Sequence, residues 1–168
     1  MASDGTRGVS SQAVPASAWV RATAPLHCVL AFAAGAGLQH LLGLPVPQPP
    51  LREALHVAGT VLANAGLVLA LWCFALFAWR RTTILPGAAP ARLVRGGPYR
   101  FSRNPIYLSL VLAYAGLAPM LDLPWALLLL PLPVVVMQRA IIPFEERQLH
   151  RRFGADYAAY AAGVPRWL

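Results

Sequence analysis

The chain has 168 residues, 58% of them hydrophobic and only 12% charged, whereas about a quarter of the residues in a soluble domain are charged. This composition excludes an ordinary soluble fold and favours an all-α integral membrane protein with one domain. The formal net charge is +8, and all 14 basic residues are arginines. In so apolar a chain, that excess fits membrane orientation and contact with anionic lipid better than binding to nucleic acid.

Residues 1–24 are rich in Gly, Ser, Pro and Ala and are predicted to form a flexible tail that ends in a surface segment. The tail lacks the basic start and directly following apolar core of a signal peptide. Four apolar segments then occur within a predicted membrane domain of residues 25–168. We expect them to span the membrane as helices of approximately residues 25–44, 54–79, 105–121 and 124–142.

The last two segments are separated only by the sequence "DLP", in which Asp122 and Pro124 favour a tight turn. They are therefore predicted to form a helical hairpin. In the second segment, Gly59, Ala63 and Gly66 have the spacing of small residues at close helix contacts.

Arginine placement predicts the orientation. The chain between the second and third segments is rich in arginine, and so is the chain after the fourth. These residues are Arg80, Arg81, Arg92, Arg95, Arg100 and Arg103, followed by Arg147, Arg151, Arg152 and Arg166. The positive-inside rule then places both termini and the arginine-rich loop in the cytoplasm. The arginine-rich and alanine-rich composition favours a bacterial source, and so a location in the inner or cell membrane.

Gln39, His40 and Asn64 are polar residues within or near predicted spans. They are compatible with a substrate cavity, but bonding to a neighbouring helix or to the interface is the more economical interpretation. Cys28 and Cys73 lie in apolar runs without metal-ligand spacing. We expect them to be small buried hydrophobes, and no metal site is predicted.

Two polar blocks carry most of the chemical information. The first contains "GPYRFSRNPIYL", and the second is "IIPFEERQLHRRFGADYAAYAAGVPRWL". The second predicts a helix with Glu145 and Glu146 that ends at Gly154, then a short helix with Tyr157 and Tyr160 on one face. Because both blocks lie on one membrane face in the predicted topology, they can meet. The glutamates then either brace the arginine loop in an ion-pair network or hold a ligand.

A ligand suited to these groups is zwitterionic and carries a ring. Arginine or asparagine matches a carboxylate, glutamate matches an ammonium, and tyrosine matches an aromatic or nucleoside group. S-adenosylmethionine has all of these features. ATP fits less well because neither GxxxxGK[ST] nor a strand followed by GxGxxG is present.

The segments "LVRGGPYRFSRNPIYL" and "EERQLHRRFGADYAAYAAGVPRWL", separated by an apolar hairpin, resemble the isoprenylcysteine carboxyl methyltransferase and phospholipid methyltransferase superfamily. The resemblance covers about the C-terminal half of the chain, from Thr82 to Trp167. It implies an S-adenosylmethionine-dependent membrane methyltransferase whose cofactor pocket is cytoplasmic and is formed by these two segments.

The resemblance also implies a set of cofactor-binding residues in this chain. They are Val94, Gly97, Tyr99, Arg103, Asn104, Pro105, Tyr107, Glu145, Glu146 and Leu149. Asn104 departs from the family pattern, which usually has histidine at this position. Asparagine can donate a hydrogen bond to a cofactor carboxylate, but it cannot become cationic or transfer protons as histidine does.

Methyl transfer from a sulfonium to an acceptor is an in-line displacement, and positioning of the reactants accelerates it greatly. Arg139, Glu146 and Arg147 are the predicted catalytic residues. Glu146, with Glu145, is expected to contact the cofactor's ammonium or ribose, and Arg139 or Arg147 is expected to orient an anionic acceptor. The expected acceptor is a lipophilic carboxylate, thiol, phenol or amine, and the expected product is S-adenosylhomocysteine.

Two other interpretations stay open at this point. Membrane sterol reductases that use NADPH carry a related "R-x-P-N-Y" segment, but here Ile106 precedes Tyr107 and the expected acidic residue is missing. The other interpretation is a non-catalytic membrane protein with a lipid-binding basic face, which would explain only the arginines. It would not explain the agreement of two separated blocks with one family pattern.

Overall fold

The computed structural model describes residues 16–79 and 93–168, with side chains from residue 23 onward in the first range. All regular structure in these ranges is helical, which confirms the predicted all-α class. The elements are α1 (Ala16–Leu42), α2 (Leu51–Trp79), a 3₁₀ turn (Gly97–Arg100), α3 (Pro105–Met120), α4 (Pro124–Leu129), α5 (Pro131–Val136), a π segment (Met137–Ile141), α6 (Ile142–Phe153) and α7 (Ala155–Gly163). Most of the predicted tail, together with Arg80, Arg81 and Arg92, lies outside the described residues.

Three stretches of helix are long and apolar enough to cross a membrane: Thr23–Leu42, Leu51–Trp79 and Pro124–Phe153. They overlap the first, second and fourth predicted spans. The third predicted span corresponds to α3, which has 16 residues. At 1.5 Å per residue, α3 is about 24 Å long, less than the roughly 30 Å of a bilayer core. The third predicted span, and with it the count of four spans, therefore stays a prediction.

Helical structure continues beyond residue 142, where the fourth span was predicted to end. The chain passes through the π segment into α6 and stays helical to Phe153. The wide π turn directly precedes Pro143, whose nitrogen has no hydrogen to bond the carbonyl of Arg139. Single π turns of this kind are common near functional sites. The turn places Glu145 and Glu146 on the same continuous helical stretch as the preceding span. We call this stretch, Pro124–Phe153, the helical rod.

Glycines bring the helices of the bundle into close contact. Gly59 and Gly66 of α2 are buried against α3, and a Cβ at Gly59 would lie 2.6 Å from the Gly116 carbonyl oxygen. On the other side of the bundle, Gly35 of α1 packs directly on the backbone of Ala126. The small-residue spacing in the sequence therefore does mark helix contacts, as predicted.

The turn between α3 and α4 is closed by backbone bonds and one carboxylate. Leu123 N–H donates to the Ala118 carbonyl at 2.9 Å, and Asp122 N–H donates to Pro119. This is a Schellman motif with Asp122 in the left-handed conformation (φ 53°), where glycine is more usual. Arg52 and His56 of α2 both bond the Asp122 side chain. Hydrogen bonding from Arg52, then His56, lowers the pKa of Asp122 to about 2.

The close approach of α2 and α3 makes a clear prediction. Gly116→Ala places a methyl group against the backbone of Ala63, so it should destabilise the fold by about 1–3 kcal/mol despite alanine's higher helix propensity. Gly37→Ala is the control because, among the described residues, no atom outside its own stretch of helix lies within 4 Å of its Cβ position. Thermal unfolding in detergent should show a lower Tm for Gly116→Ala alone. Equal Tm values would contradict the packing described.

Candidate functional site

The two polar blocks meet at the end of the bundle where α3 begins. Arg103 N–H donates to the Pro165 carbonyl at 2.9 Å. The Ser102 hydroxyl and the Asn104 amide both donate to the carbonyl of Arg166, at 3.1 and 3.0 Å. The loop before α3 is therefore fixed to the C-terminal segment by backbone and side-chain bonds, which brings the separated sequence motifs together.

Glu146 joins the two blocks electrostatically. Arg166 Nε and Nη2 donate to Glu146 Oε1 and Oε2 at 3.0 and 2.6 Å, and Arg103 Nη1 lies 3.0 Å from Oε1. The side chains of Glu146 and Arg103 are only 16% and 17% exposed. Hydrogen bonding from Arg166 to Glu146 raises the pKa of Arg166. Both carboxylate oxygens of Glu146 thus have arginine partners. This is the arrangement of the ion-pair alternative that the sequence left open.

Glu145 has a different environment from Glu146. The hydroxyl of Tyr107, buried near the start of α3, donates to Glu145 Oε1 at 2.8 Å. Glu145 itself is half-buried in the first turn of α6. This bond ties α3 to α6 and holds Glu145 beside the group formed by Glu146, Arg103 and Arg166. We call these four residues, with Tyr107, the cluster.

Three tyrosines form an aromatic wall beside the carboxylates. Tyr160 is buried and donates to the carbonyl of Tyr99 at 2.8 Å, while the Tyr99 ring packs edge-on against Phe77. Tyr157 is also buried, with its ring centroid 6.2 Å from that of Tyr160. Burial raises the pKa of Tyr157, and burial together with Tyr157 raises that of Tyr160 to about 12. Both phenols are therefore neutral at physiological pH.

Glycines shape the backbone of both blocks. Gly97 has φ +60°, and a Cβ there would lie 3.3 Å from Leu76 and 3.4 Å from Trp72 of α2. Gly154, predicted to end its helix, has φ +51° and joins α6 to α7. Positive φ is readily available only to glycine, which explains glycine at both positions.

The remaining predicted site residues are distributed unevenly. Val94 is buried before the 3₁₀ turn, Pro105 is the buried first residue of α3, and Leu149 is half-buried on α6. Arg139 and Arg147 are exposed, and no ion pair joins either to another residue within the described ranges. The structure therefore brings Arg103 to Glu146 and Tyr107 to Glu145, but it draws neither of these two predicted catalytic arginines into that cluster.

Asn104 has a structural contact that the sequence did not reveal. Its buried side-chain amide donates to the backbone carbonyl of Arg166 in the C-terminal segment, and its backbone N–H donates to the Ser102 hydroxyl oxygen at 3.1 Å. Ser102 was absent from the predicted site. Its signal was the Ser-x-Asn-Pro sequence before a proline-initiated helix, where a serine hydroxyl often bonds the backbone two residues later.

Two contacts at the end of the chain were also missed. Trp167 Nε1 donates to Gln138 Oε1 at 2.7 Å, which ties the C-terminus to the π segment. Arg95 pairs with Asp156 of α7 at 3.1 Å. Such partners are far apart in sequence, and only the folded arrangement identifies them.

The cluster also contains a buried donor. Arg103 Nε has no hydrogen-bond partner within the described part of the chain. An unsatisfied buried donor costs free energy, and an anionic group of a ligand would relieve that cost if local side chains moved to admit it. Among the described residues, no group of three or more His, Cys, Asp and Glu side chains is arranged to hold a metal ion.

Comparison with known proteins assigns the chain to a family. The family model described as "Phospholipid methyltransferase" matches residues 54–156, which is more than half of the chain and includes Tyr107, Glu145 and Glu146. The chain belongs to the phospholipid methyltransferase family. This family lies within the isoprenylcysteine carboxyl methyltransferase-like superfamily of membrane enzymes, so the predicted resemblance is confirmed.

One curated relative extends the comparison. The cobalt-zinc-cadmium resistance protein CzcN of Cupriavidus metallidurans is 31% identical over 119 residues. The match covers 71% of this chain and 50% of CzcN, so the chain spans about half the length of that relative. No solved structure gives a significant match.

The Glu146 network predicts a large stability effect. Glu146→Ala leaves Arg103 and Arg166 without their shared counter-ion. Because the Arg166 side chain is 37% exposed, the cost should lie below that of a fully buried pair, at about 1–3 kcal/mol. Arg151→Gln is the control on the same helix, because Arg151 is exposed and should change stability by no more than about 0.5 kcal/mol. Thermal unfolding should separate the two variants. Equal stability would show that the network contributes little.

The aromatic wall of Tyr99, Tyr157 and Tyr160 predicts a loss of folding stability at high pH. A phenol whose pKa rises from 10.0 to about 12 on folding binds its proton more tightly in the folded state. Its contribution is complete below pH 10 and is lost as the pH rises towards 12. Tm should therefore fall across this interval, and Tyr160→Phe should fall less steeply. An identical slope in the variant would remove Tyr160 as the cause.

Proposed function

We propose that this protein transfers a methyl group from S-adenosylmethionine to a lipophilic acceptor at the membrane surface. Membership of the phospholipid methyltransferase family supports membrane methyltransferase activity. The observation that carries the finer proposal is the cluster in which Arg103 and Tyr107 contact Glu146 and Glu145. It combines positive, negative and aromatic groups, as a zwitterionic nucleoside ligand requires.

The residues of the cluster suit the parts of this cofactor. Glu145 is suited to the cofactor ammonium because a half-buried carboxylate can accept from a cation as well as from Tyr107. The Nε of Arg103 is suited to the cofactor carboxylate. Tyr99, Tyr157 and Tyr160 supply aromatic surface for the nucleoside. When bound, S-adenosylmethionine supplies an electrophilic methyl group and becomes S-adenosylhomocysteine.

Glu146 receives a narrower role in this proposal. Since both of its oxygens are bonded to arginine, it acts by holding Arg103 in position. Accurate positioning accounts for much of the acceleration available to a displacement reaction. Glu146 would then influence cofactor affinity through Arg103, whereas Glu145 would do so by direct contact.

The acceptor is proposed to approach from the lipid. Arg139 and Arg147 are exposed cations on the helical rod that carries Glu145, and they could attract an anionic acceptor such as a lipid carboxylate or phosphate-bearing amphiphile. A carboxylate or thiolate needs little base catalysis. A phenol or amine must lose a proton, and a glutamate or tyrosine near the site would have to accept it.

The arginine distribution supports a cytoplasmic position for this end of the bundle. Arg95, Arg100 and Arg103 precede α3 there, and the basic residues of α6 lie at the same end. The opposite end has Arg52 paired with Asp122. With both termini cytoplasmic, the cofactor would enter from the cell interior of a bacterial membrane.

Calorimetry on detergent-purified full chain tests the proposal. S-adenosylmethionine and S-adenosylhomocysteine should bind saturably, and NADPH, the ligand of the alternative reductase, should not. Glu145→Gln removes the proposed contact with the ammonium and should weaken binding at least about 10-fold. Arg151→Gln, exposed on the same helix, should bind as the native protein does.

Arginine variants separate cofactor from acceptor binding. Arg139→Gln and Arg147→Gln should leave cofactor affinity unchanged and raise the KM for an anionic lipid acceptor. Binding of NADPH by folded protein, with no binding of S-adenosylmethionine, would contradict the proposed function.

A further inference from the structure

Helix α2 lies at the edge of the bundle. It packs on α3 and on the 3₁₀ turn, whereas α1 packs mainly on α4. The face of α2 that meets α3 is marked by Gly59, Gly66 and Cys73, which recur every seven residues and are buried. Most of the rest of the α2 surface is exposed within the described structure.

An amide interrupts the exposed side of this helix. Asn64 is exposed, and its Nδ2 donates to the carbonyl of Thr60 at 2.8 Å. Within residues 16–79 and 93–168 its side chain makes no other hydrogen bond. An asparagine amide has two N–H donors and an oxygen with two acceptor positions, so one donor and the oxygen are left without protein partners.

The depth of Asn64 makes these groups costly. It lies 13 residues after Leu51 and 15 before Trp79, the ends of the 29-residue candidate span. At 1.5 Å per residue, it is about 20 Å from either end and so near the middle of the bilayer. Water is scarce at that depth, and an exposed amide is stabilised by a polar group from another helix.

The residues around Asn64 form a continuous helix face, which we call the Asn64 face. It consists of Val57, Thr60, Asn64, Leu67 and Leu71. Their offsets from Asn64 of −7, −4, +3 and +7 are those of one side of a coiled coil, where a single asparagine fixes register. Val57, Leu67 and Leu71 are 66%, 55% and 57% exposed. The face lies about 140° around the helix from the α3 contact at Gly59.

We propose that the Asn64 face binds the same face of a second copy of this chain, forming a parallel dimer through α2. Copies inserted with the same orientation are related by a two-fold axis along the membrane normal, so Asn64 meets its own counterpart at equal depth. An amide is both donor and acceptor and therefore complements itself, as a charged group does not. The pairing satisfies the polar groups that α2 leaves exposed, and it does not depend on the proposed enzymatic activity.

Energy transfer between donor- and acceptor-labelled full-length chains in lipid bilayers tests the dimer. Transfer should rise with the protein-to-lipid ratio and saturate as expected for a dimer. Asn64→Leu should raise the dissociation constant about 10-fold, the scale of an interhelical amide contact. Asn64→Gln keeps the amide and should retain most of the affinity. Thermal unfolding of each variant verifies that the fold is intact.

Disulfide trapping tests which face is used. Leu71→Cys lies within the Asn64 face and should give a cross-linked dimer on oxidation. Ala65→Cys is exposed on the same helix, about 100° around from Asn64, and should not. The native Cys28 and Cys73 are buried and present in both variants. Monomeric protein at all lipid ratios, equal trapping at both positions, or native affinity in Asn64→Leu would each overturn the proposal and indicate lipid or a different protein as the occupant.

Discussion

The site depends on one carboxylate shared by two arginines. Glu146 lies on α6, near the end of the helical rod. Arg103 lies in the loop before α3, and Arg166 lies in the C-terminal segment. Three parts of the chain that are distant in sequence are thus held by a single partly buried charge. Without it, two arginines would repel each other across the place where the blocks meet.

The bundle positions this interaction by allowing its helices to approach closely. Glycines at the α2–α3 contact set the separation of those helices, and the Schellman turn at Asp122 reverses the chain into α4. The π segment then carries the helix past Pro143 without a break, so Glu145 comes within hydrogen-bonding distance of Tyr107. Local backbone features far from the cluster therefore determine which acidic and aromatic groups meet.

Much of this arrangement was predictable from the sequence because its signals were local. Long apolar runs indicated the helices, Gly154 indicated the break between α6 and α7, and small residues indicated the α2–α3 contact. The sequence predicted a helix carrying Glu145 and Glu146, but not its continuity with the preceding span, since a proline usually marks a boundary and the compensating π turn has no simple pattern. The three-way pairing of Glu146 was not predictable either, because the candidates included several arginines and only the fold selects Arg103 and Arg166.

Photo-cross-linking of radiolabelled S-adenosylmethionine to the full-length protein, followed by peptide mapping, tests the central claim most directly. If the two polar blocks form one cofactor site, the label should appear in peptides from residues 93–107 and 145–160, and excess S-adenosylhomocysteine should suppress it. Label that S-adenosylhomocysteine does not suppress, or label confined to the opposite end of the bundle near Asp122, would contradict the account.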